Sequence, residues 1–334
     1  MLVINSKPIG AGHPTYIIAE IGINHNGSLD IATKMLEQAV KSGVDAVKMQ
    51  IISADNSYAR TSPSYSIFKK VELSLEEWAT LVNQARMLNI DMFATFVNSS
   101  DLLYAEQLDL PAIKISSTNI TNFPLLEAIA QLGRPVIMST GMGYLSEVDE
   151  AVRFLEKKGQ QQMGILQCTS LYPTQPKDVN LLAIRTLAEA FPKYPVGFSD
   201  HTIGINCAVA AVAMGAKILE KHFTLDRDME GPDHHFSVTP DELACMVSAV
   251  REVEAAFGSS MKGPVLEERS IRDQFQRSLV ASEDIREGER LEQGKIITKR
   301  SEVKGIAPKY MDIVIGRIAK QSIAKDAPIT WDAV

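Results

Sequence analysis

No apolar run in these 334 residues is long enough to cross a bilayer, so a membrane-spanning helix is not expected. Excess positive charge is also missing. The 34 Lys and Arg against 41 Asp and Glu leave a net charge of −7, which argues against a general nucleic-acid-binding face. Cysteine is scarce: Cys168, Cys207 and Cys245 are far apart and set among apolar residues. That pattern excludes a disulfide framework and fits a reduced, cytoplasmic compartment. The opening residues show no basic stretch followed by an apolar one, so no secretory signal is expected. What remains is 45% hydrophobic and 22% charged, the balance of a chain that can bury a large core. The length exceeds one typical domain and falls short of three.

The most informative stretch runs from Phe198 to Ser237. Two short apolar segments, 194–198 and 216–219, are expected to be buried strands. The first runs into Ser199-Asp200-His201 and the second into Glu220-Lys221-His222, with a helix-length apolar run, 205–214, between them. Strand, helix and strand make a βαβ unit, whose parallel strands end on the same side of a sheet. His201 and His222 are thereby brought together, and two neutral imidazoles at one spot suit a divalent transition metal. The Gly231-Pro232-Asp233 turn follows and can place a carboxylate over the same spot.

The unit is one of a series. Eight short apolar strands, each followed by an amphipathic helix, are read within residues 1–258. That alternation predicts a parallel sheet covered on its outer face, closed as a (β/α)8 TIM barrel. Ser74 before Leu75, and Thr239 before a Pro at the first helical position, read as helix caps. Residues 259–274 are polar and without period, and read as a linker. Residues 275–334 alternate short apolar segments with charged turns and read as a small, mostly β module.

In this barrel type the active site lies at the C-terminal strand ends. The residues leaving the expected strands include Glu20, Lys48, Gln50, Thr95, Lys114, Ser139, Ser199, Lys221 and His222. Three lysines and several hydroxyls on one rim predict a small, highly anionic substrate, because a lysine turned into a barrel mouth is costly to desolvate without an anion. A metal beside such a pocket suits Lewis-acid activation of a carbonyl.

The segments IAEIGINHNGSL, AVKMQ, IKISS, PVIMSTGM, LQCTSLYPT, GFSDHT and LEKHFTLDRDMEGPDH resemble those of the bacterial nonulosonate synthases, the N-acetylneuraminate (sialic acid) synthases and their legionaminate and pseudaminate relatives. The tail resembles their antifreeze-like (SAF) domain. The resemblance implies a condensation of phosphoenolpyruvate with an N-acylated hexose such as N-acetylmannosamine, giving a nine-carbon keto acid and phosphate. It implies Mn2+, or another divalent metal, on His201 and His222. It implies a phosphoenolpyruvate site of Lys48, Thr95, Lys114, Ser117, Ser139, Ser170 and Ser199. Gln50, Tyr172 and Asp233 would face the sugar and metal, Asp233 counting among the catalytic groups, and Glu20 would be an acid/base. A domain-swapped homodimer would bring Arg300 to the partner's sugar. The chain departs from the family pattern at Asn119, where family members usually carry glutamate at a sugar-binding position, and at Ser170 and Phe96. Two other activities are kept beside this one: a metal-dependent aldolase using free pyruvate, and a catalytically impaired sugar- or anion-binding protein.

Overall fold

The computed structural model describes residues 1–272 and 274–334 and divides into two compact units, Met1–Gly258 and Ser259–Val334. In the first, eight parallel strands close into a barrel: β3 (Tyr16–Gly22), β4 (Ala46–Gln50), β5 (Asp91–Thr95), β6 (Ile113–Ile115), β7 (Val136–Ser139), β8 (Met163–Cys168), β9 (Val196–Asp200) and β10 (Ile218–His222). Neighbours in the ring follow chain order, and β10 closes it by pairing with β3, His222 opposite Glu20. The expected barrel is present, with strands displaced by a few residues at the seventh and eighth positions.

Those displacements set which side chains face in. Successive residues of a strand point to opposite faces. Ile17, Ala19, Val47, Met49, Ile113 and Leu219 pack outward against the helices in the larger core. Tyr16, Ile18, Ala46, Phe93, Ile137, Leu166 and Ile218 fill the barrel interior. The last inward position of each strand is polar: Glu20, Lys48 and Gln50, Thr95, Lys114, Ser139, Cys168, Ser199, then Glu220 and His222. An apolar plug therefore supports a polar mouth within the same strands.

The floor carries an element that the sequence pattern did not reveal. A hairpin of β1 (Leu2–Ile4) and β2 (Lys7–Ile9) places Leu2, Ile4 and Ile9 against the interior residues. The surrounding helices begin as their sequences predict. Before α1 (Leu29–Lys41), Ser28 accepts from Ile31 N. Two small helices, α2 (Ala54–Ser57) and α3 (Pro63–Val71), then precede α4 (Leu75–Met87), whose cap Ser74 exchanges bonds with Glu77.

The second unit has its own core of Leu279, Ala281, Ile285, Leu291, Ile296, Ile306, Val314 and Ile329. Its sheet is the antiparallel pair β11 (Ser278–Ala281) and β12 (Ile296–Lys299). The stretch read as a linker is corrected: it carries a helix, Leu266–Phe275. That helix is mostly exposed, so it lacks the apolar stripe by which a packed helix is recognised. No helix among the described residues is long and apolar enough to cross a membrane.

Candidate active site

A cavity of about 460 Å3 opens at the C-terminal strand ends. Its floor is an interlocked set of charges. Lys48 Nζ lies 2.9 Å from Glu20 Oε2, 3.8 Å from Glu220 Oε2 and 2.8 Å from Thr95 Oγ1, to which it donates. Lys114 Nζ donates to Ser139 Oγ at 2.6 Å and lies 3.7 Å from Glu220 Oε1. Ser199 Oγ donates to the same Glu220 oxygen at 2.8 Å. Gln50 Nε2 donates to Glu20 Oε1 at 3.2 Å. All four charged groups are almost wholly buried.

Burial at this depth moves their protonation. Desolvation pushes Glu20 up from 4.5 to about 7, with Glu220 adding repulsion and Lys48 opposing. Glu220 goes the other way: burial opposes its charge, but Lys114, Lys48 and the Ser199 bond outweigh it and hold it below the usual range. Burial lowers Lys114, although Glu220 counters. For Lys48 the two carboxylates overcome burial and raise it.

Beside the lysines, hydroxyls surround a narrow space. Ser117 Oγ accepts from Gly141 N at 2.9 Å, and Ser117, Ser139, Ser170 and Ser199 all line the cavity. A Cβ on Gly141 would meet Ser170 Oγ at 2.3 Å and Ser117 Oγ at 3.0 Å, so glycine keeps this space open. Hydroxyls and two ammonium groups around one hollow match the acceptors of a phosphate or carboxylate.

The imidazoles line the same cavity. The His201 and His222 rings are 5.3 Å apart between centroids. His201 Nδ1 faces the Thr169 carbonyl at 2.8 Å. A carbonyl only accepts, so Nδ1 carries the proton and Nε2 keeps its lone pair. Burial alone would lower the His201 pKa, but Cys168 Sγ and that carbonyl, both against Nδ1, raise it. Burial drives His222 well below 6.5, aided by His201 and Lys48, so its ring is neutral. His222 Nδ1 is buried without a hydrogen-bond partner and lies 3.9 Å from Asp233 Oδ2. Imidazole rings with unspent nitrogens are the donor set that a divalent transition metal takes. Among the described residues no three His, Cys, Asp or Glu side chains form a ready cage, so the residues here that could hold a metal are the two imidazoles.

The cavity brings together Glu20, Lys48, Gln50, Thr95, Lys114, Ser117, Ser139, Ser170, Tyr172, Ser199, His201, His222 and Asp233. Tyr172 lies over His201, with ring centroids 4.2 Å apart. Asn119 does not join them: it donates to Ser116 Oγ at 2.9 Å and accepts from Asn122 at 3.0 Å, and Ser116, Ser117 and Thr118 line the cavity in its place. Arg300 is exposed in the second unit, stacked on the Phe275 ring.

The expectation of three lysines at the mouth is corrected. Lys221 is fully buried, pairs with Asp200 at 2.8 Å and donates to the Thr202 carbonyl. It shares the outward parity of Leu219, so the mouth holds two lysines. Glu220 shares the inward parity of His222 and stands between those lysines, a site residue that residue type alone had not singled out. The same alternation was the available signal for both.

Comparison with known proteins shows the family. The model of the NeuB family matches residues 35–262, and that of the SAF domain matches residues 276–334. The chain belongs to the NeuB family. It is 38% identical to the N,N'-diacetyllegionaminic acid synthase of Campylobacter jejuni, over 93% of this chain and 98% of that protein. It is 34% identical to the human N-acetylneuraminate-9-phosphate synthase, over 98% and 94%. Among solved structures, the N-acetylneuraminic acid synthetase of Leptospira borgpetersenii, crystallised with citrate, superposes with a TM-score of 0.77 at 33% identity, covering 82% of this chain and 96% of that one.

Proposed function

We propose that this NeuB-family chain is a nonulosonate synthase that condenses phosphoenolpyruvate with an N-acylated hexose of the N-acetylmannosamine type, giving a nine-carbon 2-keto acid and phosphate. The observation that carries the reading is a single cavity lined by two lysines with neighbouring hydroxyls and by a pair of imidazoles. Lys48 and Lys114, with Thr95, Ser117, Ser139, Ser170 and Ser199, would hold the phosphate and carboxylate of the enol phosphate. His201 and His222, with Asp233 near, would hold Mn2+ or another divalent cation, which when bound would polarise the aldehyde oxygen of the open-chain sugar. Gln50 and Tyr172 would orient that sugar.

In the proposed reaction C3 of the enol attacks the aldehyde carbon, and positive charge develops at C2. Water adds there, and the tetrahedral intermediate loses phosphate by C–O cleavage. Glu20 stands among the groups that would hold the enol phosphate and titrates near neutral pH, so it can serve as the acid/base, giving a proton to the aldehyde oxygen when protonated and taking one from the water once ionised. The lysines would neutralise phosphate and carboxylate so that these anionic groups can sit together, and holding both substrates in line would supply much of the rate gain. A domain-swapped homodimer, in which the small unit of one protomer caps its partner's barrel and Arg300 reaches the sugar, is part of the proposal. So is a cytoplasmic location, in keeping with three free thiols.

The test supplies purified protein with Mn2+, a panel of N-acylated hexoses and phosphoenolpyruvate labelled with 18O at the bridging oxygen. The proposal expects phosphate carrying the label and a product of added three-carbon mass. Pyruvate consumption without phosphoenolpyruvate would point to an aldolase instead. No phosphate with any sugar would defeat the synthase reading. Sedimentation with and without residues 278–334 tests the dimer.

A further inference from the structure

The segment that leaves β8 at Cys168 crosses the mouth of the barrel and brings Ser170 and Tyr172 to the cavity before it reaches Thr174. Thr174 is buried and does not itself line the cavity. Its hydroxyl nevertheless belongs to a closed circuit of hydrogen bonds that includes an imidazole of the site. His201 Nδ1 donates to the Thr169 carbonyl at 2.8 Å. Thr174 Oγ1 donates to the same carbonyl at 3.1 Å and to the Leu171 carbonyl at 2.8 Å. The Thr174 backbone N–H donates to the His201 carbonyl at 2.9 Å, which returns the circuit to the residue where it began.

Each bond removes a different freedom. The bond to the Thr169 carbonyl decides which imidazole nitrogen carries the proton and leaves Nε2 with its lone pair. Cys168 Sγ, 3.9 Å from the same Nδ1, is a weaker acceptor and would hold the ring less closely. The bond from the Thr174 N–H fixes the His201 backbone against the crossing segment. The Thr174 hydroxyl joins the two: both of its acceptors are carbonyls, so it donates to both in a three-centre bond. Without that hydroxyl the two carbonyls lose a donor, and the acceptor at which the His201 ring is aimed is free to shift. Tyr172, whose ring centroid is 4.2 Å from that of His201, would shift with it. The His222 ring has no such fixture, since its Nδ1 is buried without a hydrogen-bond partner. Of the two imidazoles, His201 is the one that the surrounding chain aims.

We propose that Thr174 is a positioning residue that aims the His201 imidazole, with Nε2 free, at the divalent cation of the site. The inference rests on the metal assignment made above and adds to it a residue that lies outside the cavity. Groups that orient a metal's ligands are worth about tenfold to a hundredfold in metal affinity, so the effect is measurable.

The experiment measures the Mn2+ affinity of the full chain by calorimetry, with urea unfolding run in parallel. Thr174→Val keeps the shape and loses the hydroxyl, and is expected to weaken Mn2+ binding by about tenfold or more. Thr174→Ala loses the same hydroxyl without setting a methyl against the carbonyls, and should do likewise. Thr174→Ser keeps the hydroxyl and is expected to stay within about threefold of wild type. Thr169→Val is the control for a merely structural tie. It removes a hydroxyl of the same crossing that donates to the Asp178 carbonyl at 3.0 Å, outside the circuit, and should also stay within about threefold of wild type. A residue that only stabilised the fold would lower the urea midpoint and leave the Mn2+ affinity of the folded protein unchanged. Wild-type affinity in folded Thr174→Val or Thr174→Ala overturns the inference. So does a loss in Thr174→Ser or in Thr169→Val that equals the loss in Thr174→Val. Each of these results leaves the metal assignment standing. No binding of Mn2+, Co2+ or Zn2+ by the wild-type protein defeats that assignment and this inference with it.

Discussion

Glu20→Gln isolates the charge balance on which the cavity depends. The native carboxyl titrates at about 7 against an ordinary 4.5, chiefly through burial, with the Glu220 charge adding to it and Lys48 at 2.9 Å opposing. Because the folded pKa is raised, the folded barrel holds this proton more tightly than the unfolded chain does. Between pH 4.5 and 7 the native state therefore binds more protons, and stability falls as pH rises through that window. At about 1.36 kcal/mol per pH unit the loss attributable to this group is roughly 3 kcal/mol, complete above pH 7 and absent below 4.5. Gln cannot ionise and escapes the loss. The assay is urea unfolding across that pH range and to about one unit above it. Fluorescence of the buried Trp78 is followed in a Trp331→Phe background, because one of the chain's two tryptophans lies in each unit. The difference between mutant and wild type should move in the mutant's favour by roughly 3 kcal/mol from the acid to the alkaline end. Curves that stay parallel across the range would refute the reasoning, because they would mean that Glu20 ionises equally in both states.

Other outcomes follow from the same site. Sulfate remains a dianion near neutral pH, so its affinity measured by calorimetry should rise about fivefold as pH falls through 7 and Glu20 gives up its hold on Lys48, with no such rise in Glu20→Gln. Lys114→Met should lower sulfate affinity by about tenfold or more, whereas Lys221→Met should leave it intact in the folded protein and cost roughly 3–5 kcal/mol in denaturant unfolding, because it strands Asp200. Gly141→Ala should weaken sulfate binding by about fivefold or more, since its methyl would crowd the Ser170 and Ser117 hydroxyls. His222→Ala should abolish turnover while near-ultraviolet circular dichroism stays unchanged; turnover undiminished in metal-free buffer would contradict the assigned role of the imidazole pair.

Much of the barrel was legible because its strands are continuous apolar runs and its helices amphipathic, the two periods that sequence displays most clearly. The site was legible as a set of residue types at strand ends, but not their facing. Placing the eighth strand at 216–219, short of its end at His222, hid the alternation that turns Glu220 in and Lys221 out. The floor hairpin is too short for any period, and its turn at Asn5 and Ser6, with φ of 42° and 66°, is visible only in the backbone. The excursion of residues 51–74 has apolar residues at irregular spacing, so Tyr58, Ile67 and Phe68 gain meaning only once the fold gathers them at the cavity.

The parity of β10 also explains how two lysines can be built into a dry barrel at all. An unpaired ammonium at this depth would cost several kcal/mol, so the fold supplies Glu20 and Glu220 as internal counter-charges. Those carboxylates leave little net charge for an incoming anion when both are ionised. Under the proposed reaction, an enol phosphate that takes over Lys48 deprives Glu20 of its partner, and a buried carboxylate without a partner takes up a proton. The group nearest the enol phosphate then becomes protonated because the substrate has arrived. Anion recognition and proton supply are thus two readings of a single electrostatic arrangement, and a substitution that alters one, such as Glu20→Gln, must alter the other.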